Sequence, residues 1–185
     1  MNVIKTILAG LLLMVCSSQT MAAEVGGVNV AEQIQYGGKT MVLNGAGTRN
    51  KFFFQLYVGS LYLTAKSKDA AAIINSNEPQ HMRLEITSGQ VSPEKMKAAT
   101  LEGFQKVTGN NMTAIQADVD KLLNAIGQGK GKGDVYEFSN VPGSGLHFLL
   151  NGKRLEVLTD PEFKKTLFSI WLSDKSVDSG LRSKL

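Results

Sequence analysis

Arg49 follows a glycine-rich stretch, Gly45-Ala46-Gly47-Thr48, and precedes an apolar, aromatic run from Phe52 to Leu63 that carries Tyr57 and Tyr62. A cation beside so many apolar side chains is costly unless an anionic partner meets it. If a strand runs unbroken from Arg49, side chains two apart share a face, which puts Lys51, Phe53, Gln55 and Tyr57 on the arginine's side. A guanidinium presents a planar fork suited to a carboxylate, and a phenol adds a second donor. The same residues also fit a surface ion pair, with Tyr57 as a core aromatic whose hydroxyl reaches the rim. The spacing leaves both readings open.

Other chemistry finds less support. His81 and His147 lie in separate strand-like runs without a neighbouring carboxylate motif, and both read as structural or surface residues. No HExxH and no carboxylate cluster with ligand spacing is present, so no metal and no other cofactor is expected. Ser144 sits in Gly143-Ser144-Gly145, which lacks the spacing of a nucleophile elbow. The Gly/Lys segment Gln128 to Asp134 lacks the Gly-Lys-Ser/Thr ending of a phosphate loop and the third glycine of a dinucleotide fingerprint. It reads as a solvated connection. No catalytic residue is assigned, and the balance leans away from an enzyme.

Elements must position Arg49, and the chain is long enough to build them. Its 185 residues are 43% hydrophobic, ordinary for one globular domain. Residues 1–22 read as a secretory signal peptide. Lys5 supplies the positive start, Ile7 to Val15 the apolar core, and Thr20-Met21-Ala22 small residues at the two positions read before a cleavage placed after Ala22. That apolar core falls short of the roughly 20 residues a membrane helix needs, so no integral span is expected after cleavage. Val15 is bulky for the place before a lipoprotein cysteine, so Cys16 reads as part of the discarded leader. Its loss leaves a periplasmic chain without disulfide, thiol nucleophile or thiolate metal site. The formal charge of +4 is spread among acids with no basic stripe, and nucleic acid is not an expected partner.

The remainder, 23–185, reads as one domain. Val25 to Val30 predicts a first strand, and Gly37-Gly38 joins Gln33–Tyr36 to Lys39–Leu43 as a hairpin. Asn44-Gly45 predicts a turn, and Gly59 a bulge or bend in the run from Phe52 to Leu63. Asp69 caps a short helix over Ala70–Asn75, and His81–Thr87 alternates as a half-buried strand. Ser92-Pro93 starts a helix that ends at Thr108-Gly109, and apolar residues at 3–4 spacing predict a second from about Met112 to Ile126. Strands follow over Val135–Phe138, Leu146–Leu150 and Arg154–Leu158, the last two joined at Asn151-Gly152. Asp160-Pro161 opens the last long helix, and Asp178 caps a short tail helix. Strands, a helical hairpin, strands and a helix make an α+β fold, an antiparallel sheet with helices on one side.

The run Leu43-Asn44-Gly45-Ala46-Gly47-Thr48-Arg49, with Tyr57-Val58-Gly59-Ser60-Leu61-Tyr62-Leu63 after it, resembles the signature of the chalcone isomerase-like family. Phe168-Ser169-Ile170-Trp171-Leu172 and Ser176-Val177-Asp178 are similar to its exported bacterial branch. The resemblance covers roughly Val28 to Leu185 and implies an open-faced β-sandwich, a large antiparallel sheet with helices covering one face and a ligand cleft between. It also implies that Arg49 lies in the cleft. In the fatty-acid-binding members the matching arginine and a tyrosine on the following strand hold the carboxylate, and Tyr57 stands at that tyrosine's place. The true isomerases carry a threonine there.

The resemblance thus implies a periplasmic, non-catalytic binding protein for an apolar carboxylate such as a fatty acid, with Arg49 and Tyr57 on the head group. Phe52, Phe54, Leu101, Phe104, Ile115 and Val119 are candidates to line the tail. The alternatives are an intramolecular lyase acting on a phenolic substrate, in which Arg49 stabilises a phenolate, and a structural or partner-binding envelope protein.

Overall fold

The computed structural model describes residues 22–185; the segment read as a signal peptide, residues 1–22, lies outside the described residues except for Ala22. Strands β1 (Ala22–Val25) and β2 (Val28–Ala31) form a small hairpin of their own. The single strand expected over Val25–Val30 is therefore two. Gly26 and Gly27 take φ of 56° and 79°, left-handed angles that close a tight turn and that glycine adopts without a Cβ clash.

The main sheet has seven strands in sequence order: β3 (Gln33–Tyr36), β4 (Lys39–Lys51), β5 (Phe54–Leu63), β6 (Gln80–Ile86), β7 (Val135–Val141), β8 (Gly145–Leu150) and β9 (Lys153–Leu158). Every neighbouring pair is antiparallel. Helix α1 (Ala70–Asn75) lies between β5 and β6, and α2 (Pro93–Thr108) and α3 (Gln116–Ile126) lie between β6 and β7. After β9 come α4 (Pro161–Leu172) and α5 (Ser179–Arg182). The helix starts follow their caps: Ser92 Oγ accepts from Lys95 N, and Asp160 Oδ1 accepts from Glu162 N at 2.8 Å. Helix α3 begins at Gln116 rather than Met112, because Met112 to Ile115 form a turn that only feeds it.

Alternation along the strands sorts side chains into two layers. Leu61, Met82, Leu84, Phe138 and Phe148 face inward and meet Phe104, Val119, Leu122, Phe163 and Leu167 of the helices. Val58 and Tyr62 face the other way and form a smaller core with Met41 and with Val28 and Val30 of the β1–β2 hairpin. Among the described residues, the buried side chains of both cores fall within residues 28–185, and Val25 packs against the smaller one.

A polar group also occupies the outer face. His147 meets the Tyr36 hydroxyl through Nδ1 at 2.9 Å and Ser144 Oγ through Nε2 at 2.7 Å. His81 meets Ser139 Oγ and approaches the Glu137 carboxylate at 3.4 Å. Both histidines are buried and bonded within the fold, so of the structural or surface roles expected for them they take the structural one. Burial, aided by nearby Arg154, holds His147 below its ordinary value of 6.5. The unfolded chain therefore takes up this proton first as pH falls. We expect stability to decline as pH drops through 6.5 and this contribution to level off below the folded value. Urea midpoints across that range check it, and His147→Gln should flatten the slope; an unchanged slope would remove His147 as its source.

Candidate functional site

Arg49 is the third from last residue of β4 and Tyr57 the fourth of β5. They are direct partners across the β4–β5 hairpin, whose tip is Phe52-Phe53. Directly opposed residues share a face of the sheet, so the two meet, although not along one strand as their parity suggested. The Arg49 Cζ lies 5.6 Å from the centroid of the Tyr57 ring, within cation–π range. Tyr62 points to the outer face beside His81 and takes no part.

The glycines before Arg49 are not a turn. Gly45, Ala46 and Gly47 lie inside β4, paired with Leu61, Ser60 and Gly59 of β5. Register shifts fall at Leu43/Gly45 and Arg49/Asn50, not at Gly59. Close approach is what requires these glycines: a Cβ on Gly45 would stand 2.0 Å from the Lys184 carbonyl oxygen, and one on Gly47 would stand 2.9 Å from Lys184 Cδ. Leu181 packs over Gly47 and Gly59, with Cδ2 3.2 Å from a Cβ built on Gly59. The C-terminal tail thus lies on the strand pair beside Arg49. Asn44 Nδ2 donates to the Leu185 carbonyl, and Asp178 Oδ2 accepts from Asn50 N at 3.3 Å.

In front of Arg49 is a cleft of about 470 Å³, between the hairpin tip and the first half of α2. Its walls are Phe52, Phe54, Leu56, Val91, Met96 and Ala99; Arg49, Lys51, Lys95 and Glu102 supply its charges. Phe52 and Phe54 therefore line it as expected. Phe104, Ile115 and Val119 do not, because they are closed into the main core, and Leu101 packs against that core. The sequence missed Leu56, Val91, Met96 and the small residues Ala98 and Ala99, whose short side chains leave the cleft its width. A second hollow of about 700 Å³ lies at the tail among Asn44, Lys66, Lys68, Arg182 and Lys184. It lacks aromatic walls, and neither Arg49 nor Tyr57 lines it.

Arg49 is half-buried, and among the described residues no carboxylate comes within the 4.0 Å of an ion pair with it. Tyr57 is only 2% exposed, and its hydroxyl accepts a hydrogen bond from Trp171 Nε1 of α4 at 2.9 Å. Burial raises the Tyr57 pKa, while the Arg49 charge and the Trp171 bond oppose the rise. The phenol stays protonated at neutral pH. With Trp171 on the acceptor side, its O–H remains a donor. Trp171 is a positioning residue that the sequence placed only on an apolar helix face; a buried indole N–H needs an acceptor, and that was the signal available. Trp171→Phe should cost about 1–3 kcal/mol by leaving the buried hydroxyl with one partner fewer. Urea unfolding followed by circular dichroism measures this, and a wild-type midpoint would show that the bond contributes nothing net.

The tip itself is strained. Phe52 has φ of 55°, the left-handed region in which a residue with a Cβ loses roughly 1–2 kcal/mol. Phe52, Phe53 and Phe54 are 86%, 99% and 53% exposed. Among the described residues, no helix is long and apolar enough to cross a membrane, and no group of three His, Cys, Asp or Glu side chains could hold a metal ion.

A curled antiparallel sheet with helices on one face and a cleft at one end defines an α+β ligand-cleft architecture. A protein-family model described as chalcone isomerase-like matches residues 22–185, and the chain belongs to that family. Among solved structures, the fold is similar to the crystal structure of a fatty-acid binding protein of Arabidopsis thaliana. The TM-score is 0.67 at 12% identity, over 85% of this chain and 90% of that one. A search of curated proteins by sequence found no match.

Proposed function

We propose that the chain is a periplasmic, non-catalytic binding protein for an apolar carboxylate of the fatty-acid class. The observation that carries this is Arg49: a half-buried cation without a carboxylate partner among the described residues, set at the edge of an otherwise largely apolar cleft. A ligand carboxylate on Arg49, with the Tyr57 O–H as second donor, supplies the missing anion. The fatty-acid binding protein that shares the fold supports the same ligand class. The periplasmic location rests on the leader-like layout of residues 1–22.

The energetics divide the work. A charge-assisted hydrogen bond contributes about 1.5–3 kcal/mol net, and each buried methylene about 0.8 kcal/mol. Roughly two to four methylenes match the head group, so the walls supply most of the affinity for a long chain. The arginine then sets which end of the ligand enters and selects acids over neutral lipids. Titration with a fluorescent fatty acid should be saturable, and a free fatty acid should displace the probe better than its methyl ester. Equal displacement by acid and ester would sink the carboxylate reading.

A further inference from the structure

Among the described residues, the exposed large hydrophobics are Phe52, Phe53, Phe54 and Val157, so all but one sit together at the β4–β5 tip. Exposed apolar side chains grouped in this way mark contact with something outside the chain. Phe53 contributes to neither core nor cleft, and Phe52 is held outward in a left-handed conformation that glycine would adopt freely. Strain of this kind collects at functional places.

The features around the tip point to one occupant. The tip is a turn two residues wide, Phe52-Phe53, flanked by Lys51 and Phe54, too narrow to bury the roughly 1,000 Å² of a stable protein interface. Aromatic side chains beside cations suit a lipid surface, where rings enter the headgroup boundary and lysines meet anionic heads. Lys51 is exposed beside the three rings, and Lys95 stands on the facing rim of the cleft; Glu102 is the acid among the cleft-lining residues, and the Asp178 carboxylate is held behind the tip by Asn50 N. Phe52 and Phe54 are also cleft walls, so the surface that would touch the bilayer is continuous with the ligand's path.

We propose that Phe52, Phe53 and Phe54 insert into the surface of an anionic lipid bilayer, with Lys51 and Lys95 on the headgroups. The cleft mouth is then set against the membrane. That this is where the ligand enters rests on the carboxylate-binding reading above; the docking itself does not.

Phe53→Asp is the test, because the residue is 99% exposed and is not a cleft wall. The protein used is residues 23–185, the chain expected after cleavage, whose side chains form both cores. It is sedimented with vesicles of phosphatidylglycerol and phosphatidylethanolamine, and separately with phosphatidylcholine vesicles. Wild type should co-sediment with the anionic vesicles, less so with phosphatidylcholine or added salt, and Phe53→Asp should bind at least tenfold more weakly. Both proteins should titrate a fluorescent fatty acid alike in vesicle-free solution. The proposal is overturned if wild type stays in the supernatant or if Phe53→Asp sediments equally. It is overturned as well if wild type is a dimer that Phe53→Asp splits, because a second copy then covers the tip. Vesicle binding without any fatty-acid titration would remove the ligand reading and leave the docking standing.

Discussion

Arg49→Ala is expected to weaken fatty-acid binding roughly tenfold to a hundredfold while leaving the fold intact. The range follows from losing a charge-assisted bond of about 1.5–3 kcal/mol, at 1.4 kcal/mol per factor of ten. The fold should tolerate the change because Arg49 is half-buried, makes no ion pair among the described residues, and projects into a cleft rather than a core. What it touches is the Tyr57 ring at 5.6 Å, and a cation–π contact between a half-buried cation and a buried ring is worth about 1–2 kcal/mol, a small part of the fold's stability. The measurement is a fluorescent fatty-acid titration beside a urea melt of the same preparation. Weaker binding with an unchanged melt supports the assignment. Unchanged binding sinks it, and a collapsed melt would make Arg49 a structural residue. A methyl ester adds a check: it should distinguish wild type from the variant far less than the acid does, because the ester lacks the charge Arg49 recognises.

Much of this fold is legible because its signals are local. Gly37-Gly38 and Asn151-Gly152 each close a hairpin with left-handed angles, and Ser92-Pro93 and Asp160-Pro161 each start a helix with a cap and a proline at the first position. Each needs only a few neighbouring residues to work, so each can be read in isolation. The misread parts depend on residues far away. Phe104, Ile115 and Val119 have the spacing of an inward face, but spacing cannot tell a closed core from an open cleft. That difference depends on where Phe163 and Leu167 pack, far along the chain in α4. Arg49 and Tyr57 were placed on one face by counting along a single strand. They share a face because they oppose each other across a hairpin, and the tip between them, Phe52-Phe53, was read as strand because its residues are aromatic. Asn44-Gly45 predicts a turn from composition alone, whereas the segment that requires Gly45 and Gly47 is the C-terminal tail at Lys184.

That last point yields the second large effect. Gly45→Ala should destabilise the protein by about 1–3 kcal/mol, the usual cost of forcing extra volume into a packed site. The added methyl would lie 2.0 Å from the Lys184 carbonyl oxygen and 2.9 Å from that of Leu185. These are backbone atoms, so no rotamer change relieves the clash and the tail must lift. Lifting it strains the Asn44 bond to Leu185 and the seat of Leu181 over Gly47 and Gly59. Gly45, Gly47 and Arg49 lie on the same face of β4, opposite Leu61, Gly59 and Tyr57, so the loss should also weaken fatty-acid binding. The cause can be isolated by deleting Lys184 and Leu185. In the shortened chain Gly45→Ala should cost little, giving a coupling close to the full effect in a double-mutant cycle. An undiminished cost in the shortened chain would mean that β4 needs glycine for its own backbone and not for the tail. Coupling of the expected size would give the Gly-x-Gly-x-Arg element a physical meaning: two alternate positions emptied so that the tail can lie down, and a third, on the same face, left to carry the charge into the cleft.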